Sequence, residues 1–357
     1  MQSEGTNSSP NLTRGQLVGA GRYELKRMLD KGGMSSIWLA YDSQQQEHVA
    51  LKFLPPEISN STEALQIMQQ ETAKSRNFSH PNIIRIHDLV EPKNKLPFIV
   101  MEFVEGDNLY NLSGHQANGV FSWDQLKPWV IQLCDALEHA HEAGVIHHDI
   151  KPSNMMINRA DQLKLADFGI SMTVGESKLN NPNHVITGTL GYMSPQQLSG
   201  HPAHVTDDIH AFGATLYELL SGRRPFQSEN AYKETLNDKP KPLIEVLNEQ
   251  GITNKIPPEV GALIMACLAK DPSMRPASAR SVAEWLNLKI SKSRFPPPPP
   301  PPPAILKTRR NQAIRVAAQQ KDTQKKSSLS LRSKLIILVL TLLGFVCLLL
   351  IWKNLIQ

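Results

Sequence analysis

The residues with the clearest chemical potential lie close together: His147-His148-Asp149-Ile150-Lys151-Pro152-Ser153-Asn154, followed by Asp167-Phe168-Gly169. An aspartate is ionised near pH 7 without any shift, so Asp149 needs only correct placement to accept or orient a proton. Asn154 and Asp167 supply hard oxygen donors, suited to Mg²⁺, a cation that keeps several waters and binds chiefly through phosphates. Lys52 ends the run Val49-Ala50-Leu51-Lys52 as a point cation of the kind that meets phosphate oxygens. Singly these signals are weak, because a strand lysine is usually a solvated charge and an Asp-x-x-x-x-Asn spacing is common. Their weight comes from their order along one chain.

Other chemistry is less well supported. Cys134, Cys267 and Cys347 are far apart, form no metal-ligand spacing and suit a reducing compartment. The pairs His139/His141 and His201/His204 lack an accompanying Cys or carboxylate cluster, so surface or core histidine is the better reading.

These groups must be held by elements that the apolar pattern outlines. From Arg22 to about Val104 the segments IWLAYD, HVALKFL, IIRIHDLV and PFIVMEFV read as strands, with a helical stretch from Ser61 to Phe78 between the second and third. Past Gly106 the pattern turns helical. Ser122 with Gln125 forms a capping box, and Leu126, Val130, Leu133 and Leu137 then recur on one face until Gly144. Similar periodicity covers Ile209–Leu220, Glu259–Ala269 and Ser281–Ile290, so an α+β chain with a β-rich part before a helical part is expected.

Together the two motifs resemble the catalytic loop and metal-binding triplet of eukaryotic-type protein kinases. Further features follow in that family's order from Tyr23 to about Ile290, and KGGMSSIW is most similar to its bacterial serine/threonine branch, often tethered to a membrane. The resemblance implies a bilobal kinase fold, with a small β-rich N-lobe carrying one helix over 21–104 and a larger helical C-lobe over 105–290. It implies ATP and Mg²⁺ as cofactors. Asp149 would be the catalytic aspartate, Lys151 would steady the transferred phosphoryl group, and Lys52 would touch the α- and β-phosphates while paired with Glu71. Asn154 and Asp167 would hold the metal. Gly32 would lie in the phosphate-covering loop, and Ile37 and Ala50 would cover the base with Met156 below it. Glu102 and Val104 would offer backbone groups from the linker between lobes, with Met101 bordering the deeper pocket. Asp107 would reach the ribose or cap the next helix.

Downstream, Gly188-Thr189 and Tyr192-Met193-Ser194-Pro195 resemble the substrate-docking end of the activation segment, with Thr189 pointing to Ser/Thr acceptors. Asp208 and Gly213 match the helix beneath the catalytic loop, and Arg275 matches the arginine that holds the segment's end. Ser171, Thr173, Ser177, Thr187 and Thr189 are candidate autophosphorylation sites, Thr187 first among them.

Three positions depart from the family pattern. Asp30-Lys31-Gly32-Gly33-Met34-Ser35 keeps only the middle glycine of the expected three, and Asp30 adds a negative charge near the nucleotide. His148 replaces an arginine that ordinarily receives an activation-segment phosphate. Gln196 replaces the glutamate expected to pair with Arg275, a costly loss for a buried cation unless another acid takes over. None of the three removes a metal ligand or the group facing the acceptor hydroxyl.

The 357 residues exceed what this bilobal unit needs, and the net charge of +5 is concentrated at one end. Ala304 to Lys334 holds nine Lys/Arg against one acid, while residues 1–303 carry 28 basic and 32 acidic side chains. The basic balance therefore reports a tail and argues against a nucleic-acid partner. Residues 1–20 read as a flexible leader, and 291–334 as a proline-rich and basic linker containing Pro296 to Pro303. Leu335 to Trp352 gives 18 uncharged, mostly Leu/Ile/Val positions interrupted by Thr341 and Gly344, just long enough for a transmembrane helix. Arg332 and Lys334 place its N-terminal side in the cytoplasm, leaving 353–357 as a short extracytoplasmic tail. The chain is thus expected to be a single-pass protein of a bacterial inner membrane, its basic linker against membrane lipid, its substrates proteins with Ser/Thr acceptors, with a homodimer left open. A tethered pseudokinase scaffold that binds nucleotide and partners without turnover is the alternative.

Overall fold

The structure is a computed structural model that describes residues 12–31, 35–76, 79–92, 96–167, 190–228 and 230–290, apart from the side chains of residues 56, 57, 71 and 73–76. Period-two alternation builds its first part. Strands β1 (Leu17–Val18), β2 (Tyr23–Lys31), β3 (Ser36–Asp42), β4 (Glu47–Phe53), β5 (Ile86–Val90) and β6 (Phe98–Glu102) form one antiparallel sheet in the order β1-β2-β3-β4-β6-β5. One face packs Tyr23, Leu25, Trp38, Val49, Leu51 and Phe98 into a core. The other places Ile86 and Ile99 against Met68 of helix α2 (Thr62–Arg76). A short helix α1 (Pro56–Ser59) precedes α2, so this lobe has two helical elements where one was expected.

The reading of residues 1–20 as a flexible leader is corrected from Leu12 onward. Leu17 and Val18 pair with Glu24 and Tyr23, and Leu12 packs on the sheet core. Glycine makes this turn: Gly19 and Gly21 have φ of +58° and +89°, and a Cβ on Gly19 would stand 2.7 Å from the Tyr23 ring. A two-residue strand is too short to leave a periodic signal in the sequence.

The second part is helical around α4 (Trp123–Glu142). Its capping box is present, with Ser122 and Gln125 bonded reciprocally, and Leu126, Val130, Leu133 and Leu137 are buried. A small sheet, β7 (Gly106–Asn108), β8 (Met155–Asn158) and β9 (Leu163–Leu165), lies between the linker and the catalytic loop. Gly106 is obligatory there, because a Cβ would come 1.9 Å from the Ile157 carbonyl oxygen. Helices α3 (Leu109–Gly114), α5 (Pro195–Leu198), α6 (Val205–Ser221), α7 (Ala231–Asn237), α8 (Leu243–Gln250), α9 (Pro258–Cys267) and α10 (Ala279–Trp285) complete the lobe. The last ends well short of the Ile290 that periodicity suggested.

Helix α6 is the axis of this lobe. Every residue in it but Val205 and Glu218 is buried, including Thr206, Asp207, Asp208, His210, Thr215 and Ser221. A helix buried on all sides needs close neighbours. Gly213 lets α9 approach, since a Cβ there would lie 2.5 Å from that of Cys267. Residues 291–357, with the expected linker and span, lie outside the described residues. Among the described residues, no helix is long and apolar enough to cross a membrane.

Candidate active site

The catalytic-loop residues converge because a buried carboxylate holds the loop's backbone. Asp208, fully buried on α6, accepts the His147 N–H at Oδ2 and the His148 N–H at Oδ1, both at 2.8 Å. It also accepts from His141 Nε2 at 2.8 Å. Burial pushes the Asp208 carboxyl up, but the His141 hydrogen bond and charge, helped by His147, hold it below the usual carboxylate range. His147 is fixed at both ring nitrogens. Its Nδ1 accepts the Asp149 N–H at 3.2 Å, so the proton sits on Nε2, which donates to the Ala166 carbonyl at 2.7 Å. Burial lowers the His147 pKa against the opposing charges of Asp208 and Asp149, which fits this neutral tautomer. One imidazole thereby links Asp149 to the residue before Asp167.

The side chains of the loop then meet. Lys151 Nζ lies 2.7 Å from Asp149 Oδ2, and Asn154 Nδ2 donates to the Asp149 carbonyl at 2.7 Å and to Oδ2 at 3.0 Å. The Ala166 N–H returns to the Asn154 carbonyl at 2.8 Å. Asp149 Oδ1 is buried with no hydrogen-bond partner among the described residues, an orphaned acceptor of the kind that a donor in the site would satisfy.

Across the cleft, Lys52 from β4 places Nζ 2.7 Å from Asp167 Oδ1, and both side chains keep some exposure. Burial raises the Asp167 pKa, yet the Lys52 charge and hydrogen bond, with His147 and Lys151, hold this carboxyl below its ordinary range. Asp167 also carries a positive φ of 67°, a strained conformation that aspartate tolerates better than most residues. The structure therefore brings Lys52, Asp149, Lys151, Asn154 and Asp167 into one cleft. Glu71 lies on α2, but its side chain is outside the described ones, as is the whole of Gly32.

The residues expected around the base come from both lobes. Ala50 pairs with Met101 and Ile37 with Lys52 in the large sheet, while Met156 sits on β8 opposite Asn108 and Lys164. Ala50, Met101 and Val104 are buried. The Glu102 N–H is engaged by the Arg85 carbonyl at 2.9 Å. Its side chain spans the lobes to Lys164 Nζ at 2.6 Å. The helix cap of α3 is Asn108, and Asp107 braces it by accepting from the Asn108 N–H and the Asn111 side chain.

The three departures take different forms. Asp30 accepts its neighbour's N–H, Lys31, at 2.8 Å. His148 has φ +70°, and histidine is among the few residue types enriched in that region. Gln196 Oε1 accepts from Arg275 Nη2 at 2.6 Å, a neutral hydrogen bond as expected. Gln197 went unnoticed in the sequence: it completes the Ser194 capping box and donates to the His148 carbonyl at 3.3 Å. The spacing Ser194-x-x-Gln197 is its legible signal. Thr187, Gly188 and Thr189 fall outside the described residues, as do Ser171, Thr173 and Ser177.

A cleft between a β-lobe and a helical lobe, lined by a lysine, three amide or carboxylate side chains and a second lysine, defines a bilobal fold with cationic and acidic groups facing one another in its cleft. Comparison with known proteins narrows the class. The protein kinase domain family matches residues 23–286. The serine/threonine-protein kinase PrkC of Bacillus subtilis is 33% identical over 263 residues, covering 74% of this chain and 40% of PrkC. The serine/threonine-protein kinase PknA of Mycobacterium tuberculosis is 32% identical over 272 residues, covering 74% of this chain and 60% of PknA. Among solved structures, the PknI kinase domain of Mycobacterium tuberculosis superposes with a TM-score of 0.61 at 24% identity, covering 78% of this chain and 99% of that one, and so bears on the fold. The chain belongs to the eukaryotic-type serine/threonine protein kinase family. It spans between 38% and 60% of the length of these curated relatives.

Proposed function

We propose that this chain is an ATP- and Mg²⁺-dependent protein kinase that transfers the γ-phosphoryl group to Ser/Thr hydroxyls of proteins. The observation that carries the reading is the placement of Lys52, from the β-lobe, against Asp167 of the helical lobe, where Asp149, Lys151 and Asn154 also meet. Phosphoryl transfer passes through a loose, highly charged transition state, so positioning and charge do most of the catalytic work. Asp149, oriented by Asn154, receives the acceptor hydroxyl's hydrogen bond on its orphaned Oδ1 and takes the proton as the oxygen attacks phosphorus. Lys151 neutralises charge on the transferred group, and Lys52 meets the phosphates of the nucleotide from the opposite lobe. The donor set fits a magnesium ion, which Asn154 and Asp167 would hold and which would offset phosphate charge.

The neutral His147 keeps Asp149 and Ala166 at fixed separation, so that the base and the metal ligand beside Ala166 move together. Anchoring of the kinase unit to the cytoplasmic face of a membrane through 335–352, with the basic linker against anionic lipid, rests on the hydropathy and charge of that segment. Signalling at that membrane would follow from such tethering.

The test uses the full chain in lipid nanodiscs with MgATP and a generic Ser/Thr protein acceptor. Incorporation of label into Ser or Thr is expected, and Lys52→Met is expected to abolish it. Nucleotide binding without label in either the acceptor or the chain would instead favour the tethered scaffold.

A further inference from the structure

Arg275 is a buried cation whose nearest side-chain partner is neutral. Its Nε donates to the Ala269 carbonyl at 2.8 Å, Nη1 to Thr206 at 3.0 Å, and Nη2 to Lys270 at 3.1 Å and to the Gln196 side chain at 2.6 Å. These bonds engage four of its five N–H hydrogens and supply no negative charge. Among the described residues, the buried carboxylate beside it is Asp207 on α6, with Oδ1 3.9 Å from Arg275 Nη1 and both side chains essentially inaccessible. The same Oδ1 accepts from Ser194 Oγ at 2.5 Å, and Oδ2 accepts the His204 N–H at 2.9 Å. Asp207 thus joins the segment around Ser194, directly, and Gln196, through Arg275, to the helix whose next residue, Asp208, holds the catalytic loop.

We propose that Asp207 is a positioning residue: it is the counter-charge of Arg275 in place of an acid at position 196, and it fixes the segment that receives the protein acceptor. This rests on the kinase reading only for its kinetic consequence. The ion pair itself is a matter of charge and burial. Other charges near Arg275 do not serve as well. Asp271 is on the surface and bonded to Ser273, Cys267 is a buried thiol, and Lys270 and His210 add no negative charge. Coulomb attraction falls only as the inverse of distance, so an acid can be shifted from direct contact to 3.9 Å and still compensate in a buried setting.

The experiment is a charge-relocation cycle on the full chain: wild type, Asp207→Asn, Gln196→Glu and the double variant. Thermal unfolding of Asp207→Asn is expected to fall by roughly 5–10 °C, the scale set by stranding a buried charge in a domain of this size. Gln196→Glu in the same molecule is expected to recover more than half of that loss. In phosphorylation assays, Asp207→Asn is expected to raise the KM for a protein acceptor about tenfold with the KM for ATP within about twofold, again with recovery in the double variant. Additive effects of the two substitutions, or equal changes in both KM values, would overturn the proposal and leave Asp207 a helix cap. If Asp207→Asn does not fold, recovery of a folded protein by adding Gln196→Glu supports the proposal, and failure to recover it overturns it. The unfolding cycle needs no catalysis, so an inactive chain would sink the kinase reading while leaving this one standing or falling by itself.

Discussion

Two buried charges, Asp208 on α6 and Arg275, whose carboxylate is the adjacent Asp207, organise the helical lobe in opposite ways. Around Asp208, an anion is met at 2.8 Å by two backbone N–H groups and a histidine. Around Arg275, a cation is met by three carbonyls and a neutral amide, with Asp207 as its carboxylate at 3.9 Å. Hydrogen bonds weaken steeply with distance and angle, whereas charge attraction does not. The first arrangement therefore fixes backbone position and leaves no freedom in the residue that provides it. The second fixes net charge and allows the acid to move. That is why the loop that carries Asp149 keeps its anchor, while the anchor of the segment end has been rebuilt.

The comparison can be broken in several ways. The largest effect should come from the group that the Asp208 anchor exists to place. Asp149→Asn keeps the shape and most hydrogen bonds but removes the proton acceptor, so kcat should fall about 10³-fold with little change in unfolding temperature. A fall of the same size in stability would show Asp149 to be structural. Next, Asp208→Asn leaves one of two backbone N–H groups facing an amide hydrogen. It should lose roughly 3–5 kcal/mol in chemical denaturation, more than Asp207→Asn loses. Equal losses at the two neighbours would erase the distinction between them.

A smaller effect is expected where both anchors share a support. Gly213→Ala sets a Cβ against Cys267 and pushes α6 from α9, costing about 1–3 kcal/mol by urea unfolding. No loss would mean that the α6–α9 contact yields freely.

The smallest effect distinguishes the two environments by pH. Each contains a histidine that burial keeps neutral: His147 beside Asp208, and His210, lowered to about 3 by burial and then by Arg275 and Lys270. The unfolded chain binds protons on these rings near pH 6.5 while the folded one does not, so their contribution to stability is full above that pH and is lost as pH falls below it. For His210 the slope should reach about 1.4 kcal/mol per pH unit, and His210→Gln should remove that share between pH 6 and 4.5. Denaturation midpoints measured across that range with an unaltered slope in the variant would contradict the assignment.

Much of the architecture is legible in the chain because its signals are local. The capping box at Ser122 and Gln125 specifies the start of α4, and the spacing Leu126, Val130, Leu133, Leu137 specifies its buried face. The strands containing Trp38, Val49 and Phe98 follow from alternation. Missed elements were short or polar: Leu17–Val18, Gly106–Asn108 and Pro195–Leu198 hold too few residues for a period to appear. Among the site residues, Asp149, Lys151, Asn154 and Asp167 stand out by motif, whereas the roles of His147, His141 and Gln197 depend on partners far along the chain.

By itself the sequence determined which elements form and which side chains are able to act on phosphate, because propensity, periodicity and side-chain chemistry are properties of short stretches. Only the tertiary structure decided that Lys52 meets Asp167 from across the cleft, that Asp208 holds the backbone of His147 and His148, and that Asp207 stands near Arg275 where Gln196 brings no charge. Those are interactions between groups distant in sequence, and their worth is set by burial, which no stretch of the chain carries alone.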